Sequence, residues 1–402
     1  MKMEAKITTP DLPGRRTSSA RGGVAVVAAI GIMLVAANLR PAVVAVAPMV
    51  GDIKASTGWS SATTGLLTTL PVLMFGLAAP VTPRIAARIG IERTVFAAMS
   101  LLTFAIVIRI YPSPLALFGG SALAGLAIGG CNVVLPALIK RDFAHRSGLM
   151  TGLYSMTLSA GAAVAAAVTV PINDALGGNW REALGAWAIF AGIALITWLP
   201  QLRRFHRVDP AKRTSLWRNR IAWSITIFMA SQSLIFYTFS AWLPQYLVDR
   251  GASASDAGAV LAVGQIAALV MSLSAPMIAG RFADQRLVSF AVLIICAVGF
   301  AGLLLTDRWP VVWVACVLAG PGASIGLALL FMVLRSTSSS QTSEVSGMSQ
   351  SLGYALAAVG PVAIGALHDQ TGSWVIAFAA LSVMLVPQAI STVWAGKDVV
   401  MG

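Results

Sequence analysis

The chain alternates long apolar stretches with short polar ones, and the apolar stretch recurs twelve times. The limits are 22–50, 61–82, 94–111, 114–139, 148–173, 182–201, 220–248, 256–279, 287–306, 309–334, 346–367 and 373–395. Each is apolar throughout and long enough for a helix that crosses a hydrocarbon core about 30 Å thick; barrel strands would instead alternate apolar and polar positions over about ten residues. The pattern predicts an all-α integral membrane protein with 12 transmembrane helices and no soluble domain. The first stretch is too long, and lacks the small-residue cleavage site, for a removable signal, so it reads as an uncleaved span.

Composition agrees with this pattern. Of 402 residues, 57% are hydrophobic and 11% charged, with mean hydropathy +0.81, whereas a soluble domain carries about a quarter charged residues. The net charge of +13 would suggest nucleic acid in a soluble protein, but its placement gives another meaning. With both termini on one side, 22 of the 28 Lys and Arg residues fall in segments on that side. Only Lys54, Arg181, Arg250 and Arg308 fall on the other, and Arg40 and Arg109 lie within spans. The positive-inside rule then places both termini in the cytoplasm and the protein, multi-pass, in the inner (plasma) membrane, with no nucleic-acid partner. A monomer is expected, in contact with the bilayer and a small-molecule substrate.

Cys131, Cys296 and Cys316 sit in apolar runs without CxxC spacing, and His145, His206 and His368 share no ligand spacing. No metal and no cofactor is expected. No HExxH, paired intramembrane acid or Ser/His dyad is present, so the chain does not read as an enzyme.

The two halves of the chain share a register. Pro48 and Pro244 are 196 residues apart, as are Pro80 and Pro276. Lys140 and Arg335 are 195 apart, Trp180 and Trp374 are 194 apart, and Ser147-Gly148 precedes Ser346-Gly347 by 199. The expected organisation is a tail over 1–21, a six-helix bundle over 22–201, a basic linker over 202–219, a second bundle over 220–395 and a tail over 396–402.

Several motifs carry a family resemblance: Asn38-Leu39-Arg40-Pro41 in span 1, Leu135 to Phe143 leaving span 4, Ser231-Gln232-Ser233, Phe236-Tyr237 and Trp242-Leu243-Pro244 in span 7, Gln350 to Tyr354 with Gly360-Pro361 in span 11, and His368 to Trp374 after it. The sequence resembles the cyanate and nitroimidazole transporter branch of the major facilitator superfamily over about residues 30–395. The resemblance implies two pseudo-symmetric six-helix bundles, a central cavity lined by spans 1, 4, 7 and 10, and alternating access. The superfamily loop between spans 2 and 3 carries Gly, Asp and Arg. Here that loop keeps Arg84 and Arg88 without the Asp, and the loop after span 8 holds Gly280, Arg281 and Asp284 in compressed order. Those four charged residues, with Gly360 and Pro361, are the gating candidates.

Arg40 is the leading substrate-binding candidate. It precedes Gly51, where the outer loop begins, by about ten helical residues or 15 Å, half the hydrocarbon thickness. A guanidinium at that depth is costly and calls for a wet cavity and a use, and its fork suits a small planar anion. All fifteen acidic residues fall in tails, loops or span edges, which leaves Arg40 without a carboxylate partner and the spans without an embedded proton carrier. Asn132 and Gln232 reach the middle third, Tyr154 and Tyr354 stand one to two turns above their cytoplasmic starts, and Tyr237 matches Arg40 in the repeat. For Asn132, Gln232 and Tyr237, helix-to-helix hydrogen bonding competes with ligand contact. Asn38 either orients Arg40 or bonds the carbonyl that Pro41 leaves free. Arg109, two residues before Tyr111, reads as a snorkelling arginine.

Two transport readings follow, with cyanate or a similar small planar anion anchored by Arg40, or export of nitroimidazole-like aromatics stacked on Tyr237, Tyr354 and Trp242. A non-transporting membrane sensor is the reading of another class.

Overall fold

The computed structural model describes residues 17–59, 61–204, 216–306 and 308–401. Of the expected cytoplasmic tail over 1–21, residues 1–16 lie outside the described residues, as do 205–215 of the expected linker over 202–219, with the basic residues counted there. Eleven helices among the described residues are long and apolar enough to cross a membrane, or twelve if the pair bent by 53° within 69–89 is one span.

Span 1 begins as Thr17–Asn38, span 2 is Ser61–Ala78, span 3 Ile91–Ile108, span 4 Pro114–Asp142, span 5 Ser147–Ala175 and span 6 Trp180–Trp198. Span 7 is Arg220–Asp249, span 8 Ala254–Ala279, span 9 Arg286–Leu305, span 10 Pro310–Arg335 and span 11 Ser339–Thr371. Span 12 comes in two pieces, Trp374–Ser382 and Leu385–Ala395. Thr82–Ile89 is a short helix in the loop after span 2.

Span 1 is broken where the polar turn was expected. After Asn38 the helix stops, restarts as Pro41–Val44, passes through a 3-10 turn at Ala47–Met49 and ends as Val50–Thr57. Pro41 and Pro48 have no N–H to return to Ala37 and Val44, and the Val46 N–H bonds only three residues back to Val43 O at 3.3 Å. Asn38 takes neither of its two expected roles, since its Nδ2 donates to Leu34 O at 2.8 Å. Span 7 carries Pro244 yet stays one helix, so the repeat keeps its register without repeating the break.

The repeat is visible in the packing. A Cβ on Gly125 of span 4 would lie 2.5 Å from Pro71 O of span 2, and one on Gly322 of span 10 would lie 2.4 Å from Ala268 O of span 8. Gly129 against Phe75 and Gly326 against Ser272 repeat the arrangement one turn further on. Each pair is related by the same 197-residue offset. Small residues let the backbones of neighbouring helices touch where lipid supplies no hydrophobic drive for association.

The two halves meet at the end carrying Lys140, Arg141 and Arg335, here called the basic end. Gly148 of span 5 faces Gly280 of span 8, where an added Cβ would come 2.6 Å from Pro276 O. Gly347 of span 11 faces Ala79 beyond span 2, again at 2.6 Å from a backbone carbonyl. Ser155 Oγ donates to Ser272 O at 2.7 Å, and Ser351 Oγ donates to Gly76 O at 2.9 Å. Backbone-to-backbone contact at two pseudo-equivalent seams closes the basic end.

Within each half, polar latches tie the same end. Glu92, buried at the start of span 3, pairs with Arg141 of span 4 at 2.6 Å and accepts from Trp198 Nε1 through its carbonyl at 3.0 Å. Arg335, buried at the end of span 10, donates to Gln285 Oε1, to Ala395 O at 3.0 Å and to Gly396 O at 3.0 Å. The returning tail adds Met401 N–H to Arg335 O at 2.7 Å.

Arg109 corrects a sequence expectation. It does not snorkel: it is 2% exposed, and its Nη1 donates to Ala42 O of span 1 at 2.7 Å. The interior need that overrides snorkelling is the carbonyl freed by the break in span 1.

Candidate functional site

The break in span 1 places Arg40 as the residue that opens the short helix Pro41–Val44, with φ −108° and ψ −36°. Its side chain leaves the helix toward span 7, and Nη1 donates to Tyr237 Oη at 2.7 Å. The two residues are 197 apart, the same offset that relates the packing glycines of spans 4 and 10, so the pair lies close to the pseudo-twofold axis between the halves. No carboxylate among the described residues pairs with Arg40. Its remaining donors have no protein acceptor among the described contacts. Arg40 and Tyr237 both keep partial solvent access.

Tyr354 and Tyr154 lie near the same guanidinium, and Tyr354 lies near Tyr237. Tyr154 Oη donates to Asn132 Oδ1 at 3.2 Å. Gln350 Nε2 donates to Asn132 O at 2.8 Å and to Ser346 Oγ at 2.7 Å, which carries the network from span 4 to span 11. Phe75 of span 2 meets Tyr354 edge-on with ring centroids 5.4 Å apart, and Phe236 meets Tyr237 likewise at 5.4 Å. The result is one guanidinium with open donors beside aromatic rings and hydroxyls drawn from spans 2, 5, 7 and 11. Such a site can hold two oxygens of a planar solute while rings cover its faces.

Other candidates fall elsewhere. Gln232 is 3% exposed and spends its amide nitrogen within its own turn, on Met229 Sδ at 3.3 Å and Ser233 Oγ at 2.7 Å. Trp242 bonds Pro361 O at 2.8 Å and packs on Trp374 with centroids 5.5 Å apart, between spans 7, 11 and 12. Gly360 lies beside it, where a Cβ would come within 2.2 Å of Thr238 Oγ1. Gly360 and Pro361 therefore sit at a tight seam inside the second half.

Arg84, Arg88 and Arg281 are exposed at the basic end, with Arg84 donating to Pro80 O at 3.2 Å. Asp284 pairs with Arg286 at 2.6 Å, and the Arg286 hydrogen bonds hold its carboxyl below the usual range. The contacts that close the halves are made by Gly148, Gly280, Gly347, Ser155 and Ser351 instead. The doubled Ser-Gly pair at 147–148 and 346–347 was the sequence signal for two of these positions, and Ser351 lay within the Gln350 to Tyr354 motif; Ser155 and Phe75 had none.

A groove of about 930 Å³ lies between spans 3 and 4 at the end opposite the basic one, lined by Phe104, Val107, Tyr111, Leu115 and Leu123. It is largely apolar and does not include Arg40, so it offers a charged or nitro-bearing solute no cation.

Replacing Tyr237 by Phe removes the acceptor and keeps the ring. A hydrogen bond to a charged group is worth about 1.5–3 kcal/mol, but a rebound solute or water recovers part of it. Tyr237→Phe is expected to raise the KM for the transported solute about three- to tenfold with the maximal rate little changed, measured as initial flux in proteoliposomes.

A bundle of eleven or twelve membrane-long helices among the described residues, with a guanidinium midway along its first span, has the architecture of a multi-pass membrane transporter. The family model for the Major Facilitator Superfamily matches residues 27–361, and the chain belongs to that superfamily. Within it, the chain belongs with the cyanate and nitroimidazole transporters. It is 38% identical to the 2-nitroimidazole transporter of Escherichia coli K12 over 95% of this chain and 98% of that one. It is 28% identical to the cyanate transport protein CynX of the same organism over 88% of this chain and 93% of that one. Among solved structures, the proton:xylose symporter XylE superposes with a TM-score of 0.74 at 12% identity, covering 93% of this chain and 95% of that one.

Proposed function

We propose that the protein is a secondary active transporter that moves a small anion such as cyanate, or a similar small planar solute, across the inner (plasma) membrane by alternating access. The observation that carries this reading is Arg40, a half-buried guanidinium with one tyrosine partner and no carboxylate. An uncompensated cation inside a low-dielectric cavity attracts an anion, and a site for cations would show an acid there. The positive-inside rule makes the basic end cytoplasmic, with both termini on that side. The closed basic end then corresponds to the outward-facing state. The division into bundles at 22–201 and 220–395, a monomeric unit, and gating through the basic-end loops belong to the same reading.

Export of nitroimidazole-like solutes is the second reading. The aromatic rings of Tyr237, Tyr354, Tyr154 and Phe75 favour it, together with the 38% identity to a 2-nitroimidazole transporter. A nitro group presents two oxygens to Arg40 much as a carboxylate does.

Flux in proteoliposomes separates the two. Cyanate and small carboxylates are scanned against nitroimidazoles, with and without a pH gradient. The anion reading expects saturable anion flux that nitroimidazoles inhibit weakly. Movement of neutral heterocycles with no anion flux or competition would replace the first reading by the second, and no flux of either kind would remove both.

A further inference from the structure

We propose that Arg109 is a positioning residue for the solute site: from span 3 it holds the break in span 1 open and so sets where Arg40 points. The inference rests on the reading of Arg40 as the solute anchor.

Among the carbonyls that the break leaves without a helical partner is Ala42 O. Val43 and Val44 N–H both turn back to Arg40 O, Ala45 N–H takes Pro41 O, and Val46 N–H takes Val43 O. Ala42 O is thereby left without its helical partner, two residues after Arg40. Arg109 Nη1 fills it at 2.7 Å from a residue 67 positions away. Were this bond absent, the short helix Pro41–Val44 would gain by rewinding or by turning Ala42 toward another donor, and either movement rotates Arg40.

The same guanidinium is poorly served where it sits. Its Nε and Nη2 are buried with no hydrogen-bond partner among the described residues. Its stem lies against span 4 at Gly120, where an added Cβ would come 2.5 Å from Arg109 Cγ and 2.7 Å from Ala105 O. A buried charge with most of its donors unmet is a poor device for stability, and an apolar side chain of similar volume does as well or better. What an apolar side chain cannot do is hold Ala42 O. Gly120 adds a second sign of the same arrangement, because it leaves the space that the arginine stem occupies.

The test uses the full-length chain in proteoliposomes with Arg109→Gln, Arg109→Lys and Gly120→Ala. Positions are read by a thiol at the site: Arg40→Cys in a chain with Cys131, Cys296 and Cys316 replaced by Ala, reacted with a small charged thiosulfonate. Arg109→Gln and Gly120→Ala are each expected to change the thiol reaction rate at least about fivefold. In the chain that keeps Arg40, they are expected to raise the KM for cyanate or 2-nitroimidazole about tenfold or more with the maximal rate held within about threefold, as a misplacement near 1 Å does. Arg109→Lys, which can still donate to Ala42 O, restores both toward the parent values. A thiol rate unchanged in both Arg109→Gln and Gly120→Ala overturns the proposal, and so does a KM unaffected by either. If Arg109→Gln fails to fold, Gly120→Ala and Arg109→Lys give the same two readouts. A shifted thiol rate together with solute flux indifferent to Arg40→Ala leaves the positioning role standing and removes the solute-anchor reading.

Discussion

Arg40→Ala is expected to reduce transport by about two to four orders of magnitude while leaving the protein folded. Each hydrogen bond from an ionised donor contributes about 1.5–3 kcal/mol, so losing a two-point contact costs about 3–6 kcal/mol, which is about 10²- to 10⁴-fold in affinity. No carboxylate among the described residues neutralises Arg40, so its removal strands no buried acid and the fold has little to lose. Truncation does leave Tyr237 Oη without its donor, a modest loss at a partly exposed group. Arg40→Lys keeps the charge and loses the planar fork, so it is expected to fall between, about 10- to 100-fold below the parent. Initial flux in proteoliposomes, set beside the melting temperature of the purified variants, checks both. Anion flux within about threefold of the parent in Arg40→Ala would sink the assignment.

Gly148→Val and Gly347→Val are expected to hold the basic end apart. In each case the first side-chain carbon would stand 2.6 Å from a backbone carbonyl of the opposing half, on Pro276 and on Ala79. A backbone oxygen cannot rotate aside as a side chain can, so the strain is relieved by parting span 5 from span 8, or span 11 from span 2. Overpacking of this kind costs about 1–3 kcal/mol, enough to shift a two-state equilibrium about 5- to 150-fold. The two substitutions act at separate seams, so together they should shift it further. The readout is a cysteine at Asn132, beneath the closed end on span 4, labelled from the basic side. It should be protected in the parent and labelled quickly in the variants, with net transport reduced by at least tenfold because one half of the cycle is disfavoured. Unchanged protection in the double variant would mean that these glycines do not set the closed state.

Much of this site was legible in one dimension. Arg40 stood out because a guanidinium midway along a span is expensive. Tyr237 was found by counting, since the 197-residue offset brings it to the level of Arg40 and the two side chains then meet. Asn132 and Tyr154 bond each other, and Tyr354 lies near the same guanidinium. Depth was a weaker guide for Gln232, whose amide nitrogen bonds within its own turn, and for Trp242, which bonds across to Pro361 of span 11. Depth along a helix follows from residue counting at 1.5 Å per residue. The direction in which a side chain leaves the helix depends on the rotation of that helix against its neighbours, which counting does not supply in a bundle that is apolar all round.

The sequence by itself determined the twelve spans, the sidedness expected from 22 basic residues against four, the twofold repeat and the lone cation in the middle of span 1. These are properties of composition and spacing, and the membrane imposes them locally on each helix because lipid satisfies no backbone group. Only the tertiary structure decided which carbonyl Arg109 would hold, that Asn38 would cap Leu34, and that glycines and serines at 148, 155, 347 and 351 would shut one end. Those outcomes depend on which backbones come within 3 Å of one another. Helix-to-helix approach in lipid is set by packing among small residues across the whole bundle, and no single stretch of chain contains that information.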